Sequence, residues 1–269
     1  MKTLLFYFLL SGLLIPGLSL QAQKKNNKPA PNTQTLFQAG VASAFIGGLY
    51  NACYTYDSLK QHGDFGLGAP DKLDGEMVML NGKIYQTQYT GKTFEVKDTG
   101  STSLAFVNFF HADRVIRLSH TITRTELYKY LDSLLENKNG IYAIHIKGTF
   151  ETLKTRAFPS PAKPYQPLAE MLDKQHFFTF EHIDGDLIGY RLPLYLEALS
   201  IHGYHFHFLA DKKDAGGHII DFVIKDATIE INTLNHYAMV LPDSNEFKQF
   251  DFQKDRKEEL RSVENGAKK

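Results

Sequence analysis

Apolar and polar positions alternate in short runs along most of this chain, the two-residue period of half-buried strands. Runs at residues 75–80, 83–88 and 93–96 are separated by the turn signals Asn81-Gly82 and Thr90-Gly91. Further apolar runs cover residues 102–110 and 141–152. The second half reads as strands over 177–183, 186–193, 203–209, 218–225 and 227–233, with Asp184-Gly185 expected to turn between the first two. One stretch breaks the alternation. Leu127, Tyr130, Leu131, Leu134 and Leu135 form a stripe at helical spacing, which predicts a helix over residues 125–137 capped by Thr123. Residues 168–174 predict a short helix, and residues 43–50 a strand or buried turn.

The two ends read differently from the middle. Met1-Lys2, an apolar run from Leu4 to Ile15, the break at Pro16-Gly17 and the small residues up to Ala22 have the form of a secretory signal peptide over residues 1–22. Its run is short for a membrane span, although an uncleaved anchor is the alternative. Residues 23–34 read as a flexible linker. The proline-rich crossing from Phe158 to Pro164 divides the rest into an N-terminal part, residues 35–158, and a β-rich C-terminal part, residues 159–269. The tail over 255–264 is so charged that composition predicts a frayed helix or disorder.

Thirty basic and thirty acidic residues cancel, so nothing points to nucleic acid or an anionic membrane surface. The lone Cys53 excludes an internal disulfide and a thiolate metal site, and it reads as a small buried residue. The glycine-rich run from His62 to Gly68 lacks the strand-to-helix setting of a phosphate loop.

The sharpest chemical signal is Tyr204-His205-Phe206-His207-Phe208 followed by Gly216-Gly217-His218. In a strand His205 and His207 point to one face and the three aromatics to the other. Three imidazoles with one position open suit a catalytic zinc. The same letters also fit two surface histidines on a hairpin with a third nearby by chance. A tight hairpin through residues 211–217 would leave His218 roughly 10 Å along the strand from the point facing His207. A wide loop or a bulge at Ala215-Gly216-Gly217 is therefore expected. From the letters alone, Glu76 reads as a solvated strand residue and Arg156 as a surface charge. Asp64 and Asp74 read as turn or cap groups, and Asp221 as an acid able to orient a ligand histidine. His145 and the other scattered histidines receive no chemistry.

Five segments, in this order and at these intervals, resemble the alpha-acetolactate decarboxylase family: the run from Gly63 to Gly68, Leu73-Asp74-Gly75-Glu76-Met77, Lys154-Thr155-Arg156-Ala157, the run from Gly203 to Leu209, and Gly216-Gly217-His218. The resemblance implies an α/β fold of the α+β type, with mixed β-sheets spanning two closely packed subdomains and few helices. It implies a carboxy-lyase that converts 2-acetolactate to acetoin and carbon dioxide with Zn2+, usually as a homodimer. Residue by residue it places the zinc ligands at His205, His207 and His218, and catalytic residues at Glu76, Arg156 and Glu264, with Glu258 and Glu259 close to the last. It implies a zinc that accepts the charge of the enediolate left by carbon dioxide. It further implies that Arg156 grips the substrate carboxylate with two donors and that Glu76 does acid–base work. Ala69 stands where the family commonly has threonine. With the signal peptide, the enzyme is expected to be exported, periplasmic or secreted, and clear of the membrane after cleavage. The rival readings are a cupin-like metal oxygenase, with Asp211 in place of the usual glutamate, a zinc hydrolase, or an exported metal-binding module.

Overall fold

A computed structural model describes residues 32–266. The expected signal peptide lies outside the described residues. Among those described, no helix is long and apolar enough to cross a membrane. In chain order the first half forms β1 (Thr35–Ala39), α1 (Ala42–Ile46), β2 (Tyr54–Thr55), α2 (Tyr56–Leu59), β3 (Phe65–Pro70), β4 (Glu76–Leu80), β5 (Lys83–Thr87), β6 (Thr93–Glu95) and β7 (Ser101–Asn108). After these come β8 (Arg114–Leu118), β9 (Ile122–Thr123), α3 (Arg124–Leu134) and four long strands. The long strands are β10 (Ile141–Ala157), β11 (His176–Leu192), β12 (Gly203–Ala210) and β13 (Gly216–Leu234). The chain closes with β14 (His236–Val240), α4 (Asn245–Lys248) and α5 (Lys257–Glu264).

Two sheets result. The first runs β14-β1-β7-β3-β4-β5-β6, with β2 beside β7 and one parallel pair, β1 with β14. In the second, β10-β11-β12-β13 closes on itself because β13 also pairs with β10, and β8 and β9 add to β13. The sheets interleave along the chain: β10, from before the proline-rich crossing, belongs to the second, while β14, from the far end, belongs to the first. Strand alternation divides the core. Phe206 and Phe208 face an interior shared with Leu127 and Leu131 of α3. Ile188, Tyr190 and Leu209 face the first sheet, in a layer with Leu67, Phe106 and α1.

Local chemistry explains most boundaries. Asn81 and Gly82 both have positive φ, 53° and 72°, as a two-residue hairpin requires. Thr123 and Glu126 complete a reciprocal cap at the start of α3. Several expectations need correction. Residues 176–192 form one strand, and Gly185 is a packing glycine rather than a turn: a Cβ there would lie 2.5 Å from Phe208 Cε2. The runs at 218–225 and 227–233 likewise merge into β13. Residues 42–46 are helical, too short for periodicity to arbitrate, and the Gly47-Gly48 pair stops them. Residues 168–171 make a single tight helical turn that ends short of Lys174. The tail is ordered as α5, because its two apolar residues, Leu260 and Val263, lie three apart and are buried together.

Candidate metal centre

The hairpin between β12 and β13 turns earlier than expected. Ala210 N–H donates to Ala215 O at 2.9 Å, so the loop is only residues 211–214, and Gly216 and Gly217 pair with Leu209 and Phe208. His218 therefore lies directly opposite His207, and no displacement has to be absorbed. The irregularity in β13 falls on its other edge, where pairing with β10 passes from Asp221 to Ile219. Gly216 is required here, since a Cβ would lie 2.5 Å from Thr87 Oγ1.

Across β12, β13 and β10 the register sets His207, His218 and Arg156 in a row, with His205 two residues along on the same face. The three imidazoles are buried, and each offers one ligand atom within 4.8 Å of the others. Their ring centroids are 5.0–5.4 Å apart. His205 Nε2 is 3.2 Å from His218 Nδ1. Burial lowers all three pKa values, that of His207 to about 3, where a hydrogen bond to Met77 opposes the shift and Arg156 reinforces it. They are neutral rings that keep a lone pair for a cation.

The donor set fits a metal in a second respect. A ligand histidine needs its other nitrogen held. His207 Nδ1 lies 2.9 Å from the carbonyl of Met77 on β4, and His218 Nε2 lies 3.3 Å from the carbonyl of Glu264 on α5. Backbone carbonyls do what Asp221 was expected to do. Asp221 itself is exposed and pairs with Arg124 Nε at 3.5 Å.

Around the histidines stand the three predicted charged residues. Glu76 opens β4 after Gly75, whose φ of +86° and close approach to Thr87 O exclude a side chain. Its Oε1 accepts from Arg156 Nη1 at 2.7 Å, and its Oε2 lies 3.4 Å from His207 Nε2. Burial pushes the Glu76 carboxyl up to about 7, against the pull of Arg156 and aided by the charge of Glu264. Glu264, at the end of α5, brings Oε2 to 3.8 Å from His205 Nε2 and 3.9 Å from His218 Nε2. Burial raises its pKa too, with Arg156 opposing. Glu258 and Glu259 of the same helix turn elsewhere, to Arg261 and to Lys254.

Arg156 is anchored through both of its terminal nitrogens. Nη1 is committed to Glu76 and Nη2 donates to Val263 O at 3.3 Å, while Nε has no partner among the described residues. Its guanidinium carbon lies 4.8 Å from the ring centre of Phe158, a stacking partner for which the letters hold no signal. The centre encloses a cavity of about 30 Å³, walled on its apolar side by Ala69, Leu73, Phe106, Phe158 and Ile201. At Ala69 only a methyl group lines it. Asp64 and Asp74 remain turn groups, accepting from Phe110 N–H and from Gln86 and Gln88. Asp211, which a cupin-like site would need, is exposed and bound to Lys147.

Residues 36–254 match the alpha-acetolactate decarboxylase family. A relative of that name from Methanosarcina mazei is 35% identical over 234 residues, 86% of this chain and 81% of the relative. Another, from Brevibacillus brevis, is 35% identical over 83% of this chain and 78% of its own. The crystal structure of the alpha-acetolactate decarboxylase of Bacillus subtilis strain 168 superposes with a TM-score of 0.84 at 27% identity, over 86% of this chain and 99% of that one. The family match ends at residue 254, so the position of Glu264 rests on the geometry just described.

Proposed function

Since the chain belongs to the alpha-acetolactate decarboxylase family, we propose that it converts 2-acetolactate to acetoin and carbon dioxide with zinc at His205, His207 and His218. The observation that carries this reading is the meeting of three buried neutral imidazoles with the Arg156–Glu76 ion pair and Glu264 in one enclosed site.

The substrate is a 3-keto acid with a 2-hydroxyl. When its C–CO2 bond breaks, the electron pair stays on carbon and spreads into the ketone as an enediolate, which one proton converts to acetoin. A zinc ion held by the three histidines supplies the Lewis acidity that stabilises charge developing on the substrate oxygens. Arg156 offers its unpartnered Nε and the adjacent Nη2 edge to the substrate carboxylate. As carbon dioxide leaves uncharged, the guanidinium keeps its hydrogen bond to Glu76 Oε1. Glu76 in its carboxylic-acid form, held in place by that bond, gives the proton to carbon and is reprotonated from solvent. Glu264 orients the substrate from the opposite wall. The cavity has room for about two water molecules at most, so the substrate must displace part of its wall, to which α5 contributes Val263 and Glu264.

The test is to incubate the purified zinc-loaded protein with racemic 2-acetolactate and measure acetoin and carbon dioxide. Equimolar products without dioxygen uptake are expected, and absence of acetoin would overturn the reading. We further propose that the enzyme works outside the cytoplasm as a homodimer. The support is the pattern of residues 1–22 for export and the family resemblance for the dimer. The mass of the exported chain and light scattering check the two.

A further inference from the structure

The last turn of a helix leaves carbonyls without intrahelical partners. In α5 three carbonyls at and just beyond its end have side-chain donors from the body of the protein. Val263 O accepts from Arg156 Nη2 at 3.3 Å, Glu264 O lies 3.3 Å from His218 Nε2, and Gly266 O accepts from Gln175 Nε2 at 3.0 Å. Arg156 and His218 belong to the site itself. Gln175 does not: it sits just before β11, outside the residues that line the cavity.

Gln175 is nonetheless buried, and its Oε1 has no partner among the described residues. A buried amide with half its capacity unused costs free energy, so the one hydrogen bond it makes is the reason for a polar residue there. Reversing the amide would set oxygen against the Gly266 carbonyl, which fixes the donor toward the tail. The seat is shaped for this turn. Gly266 has φ +62°, and a Cβ on it would lie 2.7 Å from Ile220 Cδ1 and 3.4 Å from Phe177 Cε1. The chain therefore ends α5 in a left-handed glycine beside Ile220 and Phe177, with Gln175 bonded to its carbonyl two residues beyond Glu264.

We propose that Gln175 is a positioning residue for the decarboxylation: its hydrogen bond latches the C-terminal turn so that Glu264 faces the three histidines. This rests on the function proposed above for Glu264. The latch differs from packing by Leu260 and Val263, which hold α5 down by apolar contact alone. A net hydrogen bond of ordinary strength predicts a modest effect, about three- to tenfold on turnover, expressed in kcat more than in KM.

The experiment uses the full-length zinc-loaded protein. Gln175→Met keeps length and volume and deletes the donor, and Gln175→Glu, measured in the same way, decides the matter should the Met protein fail to fold. Three outcomes are expected together: kcat lowered about three- to tenfold with zinc content unchanged, faster trypsin cleavage at Arg261, and no further loss when Gln175→Met is added to Glu264→Gln. Unchanged cleavage at Arg261, or losses that multiply in the double variant, would overturn the latch. If Glu264→Gln alone runs at the full rate, the role of Glu264 fails, while faster cleavage in Gln175→Met still establishes that Gln175 holds the tail.

Discussion

Half-buried His145 and the three buried histidines of the metal centre lie on strands of one sheet, yet their pKa values shift in opposite directions. Burial alone would lower all four. At His145 it is outweighed: Nε2 lies 2.9 Å from Asp186 and Nδ1 lies 2.8 Å from Glu230, and together they raise its pKa. A ring with a carboxylate at each nitrogen is stabilised in its doubly protonated form, which has no lone pair to give. At the centre the rings face one another, two of them rest on backbone carbonyls, and Arg156 adds positive charge. Their nearest carboxylate oxygens stand farther off, at 3.4–3.9 Å. The partners of a histidine, together with its burial, decide whether it ties strands together or keeps a lone pair free for a metal.

The comparison breaks most sharply at the metal side. His207→Ala should remove the zinc and lower kcat/KM about a thousandfold or more, since several kcal/mol of charge stabilisation go with the ion. Full zinc in that protein, by metal analysis, would contradict the ligand assignment. Arg156→Lys keeps the charge but loses the planar fork, and kcat/KM should fall about ten- to hundredfold with zinc retained. Near-normal turnover would reduce Arg156 to a general positive field. Glu264→Gln should cost about tenfold, and deleting residues 263–269 at least as much, with Glu258→Gln and Glu259→Gln unchanged. A full rate in the truncated protein would make α5 a surface helix.

His145→Gln is the reciprocal probe, and its effect belongs to stability. Because its partners raise the pKa of His145, its contribution is complete below the ordinary value of 6.5 and is lost as pH rises through the folded value. Asp186 is lowered from 3.8, despite burial, by His145, Lys213 and Lys147, so its contribution is present above that value and is lost in acid. The variant should therefore be less stable by about 1–3 kcal/mol near pH 5–6, with the gap narrowing toward pH 9 and activity within about twofold. A gap that stays constant with pH, in denaturant titrations, would show that His145 is not charged.

The sequence carried more of the site than of its surroundings. Strand parity puts His205 and His207 on one face, whereas Glu76 and Arg156 read from the letters alone as solvated and are buried beside the histidines; only the order of the family motifs pointed to them. The direct pairing of His218 with His207 was not legible, because loop length depends on which residue makes the last ladder bond, and Ala215 makes it. The long strands β11 and β13 looked broken at Asp184-Gly185 and at Asp226. A glycine demanded by close packing reads the same as one demanded by a turn. The tail looked solvated because two apolar residues among so many charges leave little periodicity, yet Leu260 and Val263 suffice to dock it. Backbone partners such as Met77 O and Val263 O have no sequence signature, since every residue offers the same carbonyl.

The central claim is that the neutral histidine cluster is a working zinc site for acetolactate decarboxylation. It is tested most directly by removing metal from the purified protein with a chelator, then restoring zinc in measured steps while following acetoin formed from 2-acetolactate. Activity should vanish on removal and return in proportion to zinc, reaching its limit near one ion per chain. Undiminished acetoin formation by protein shown to be metal-free would contradict it.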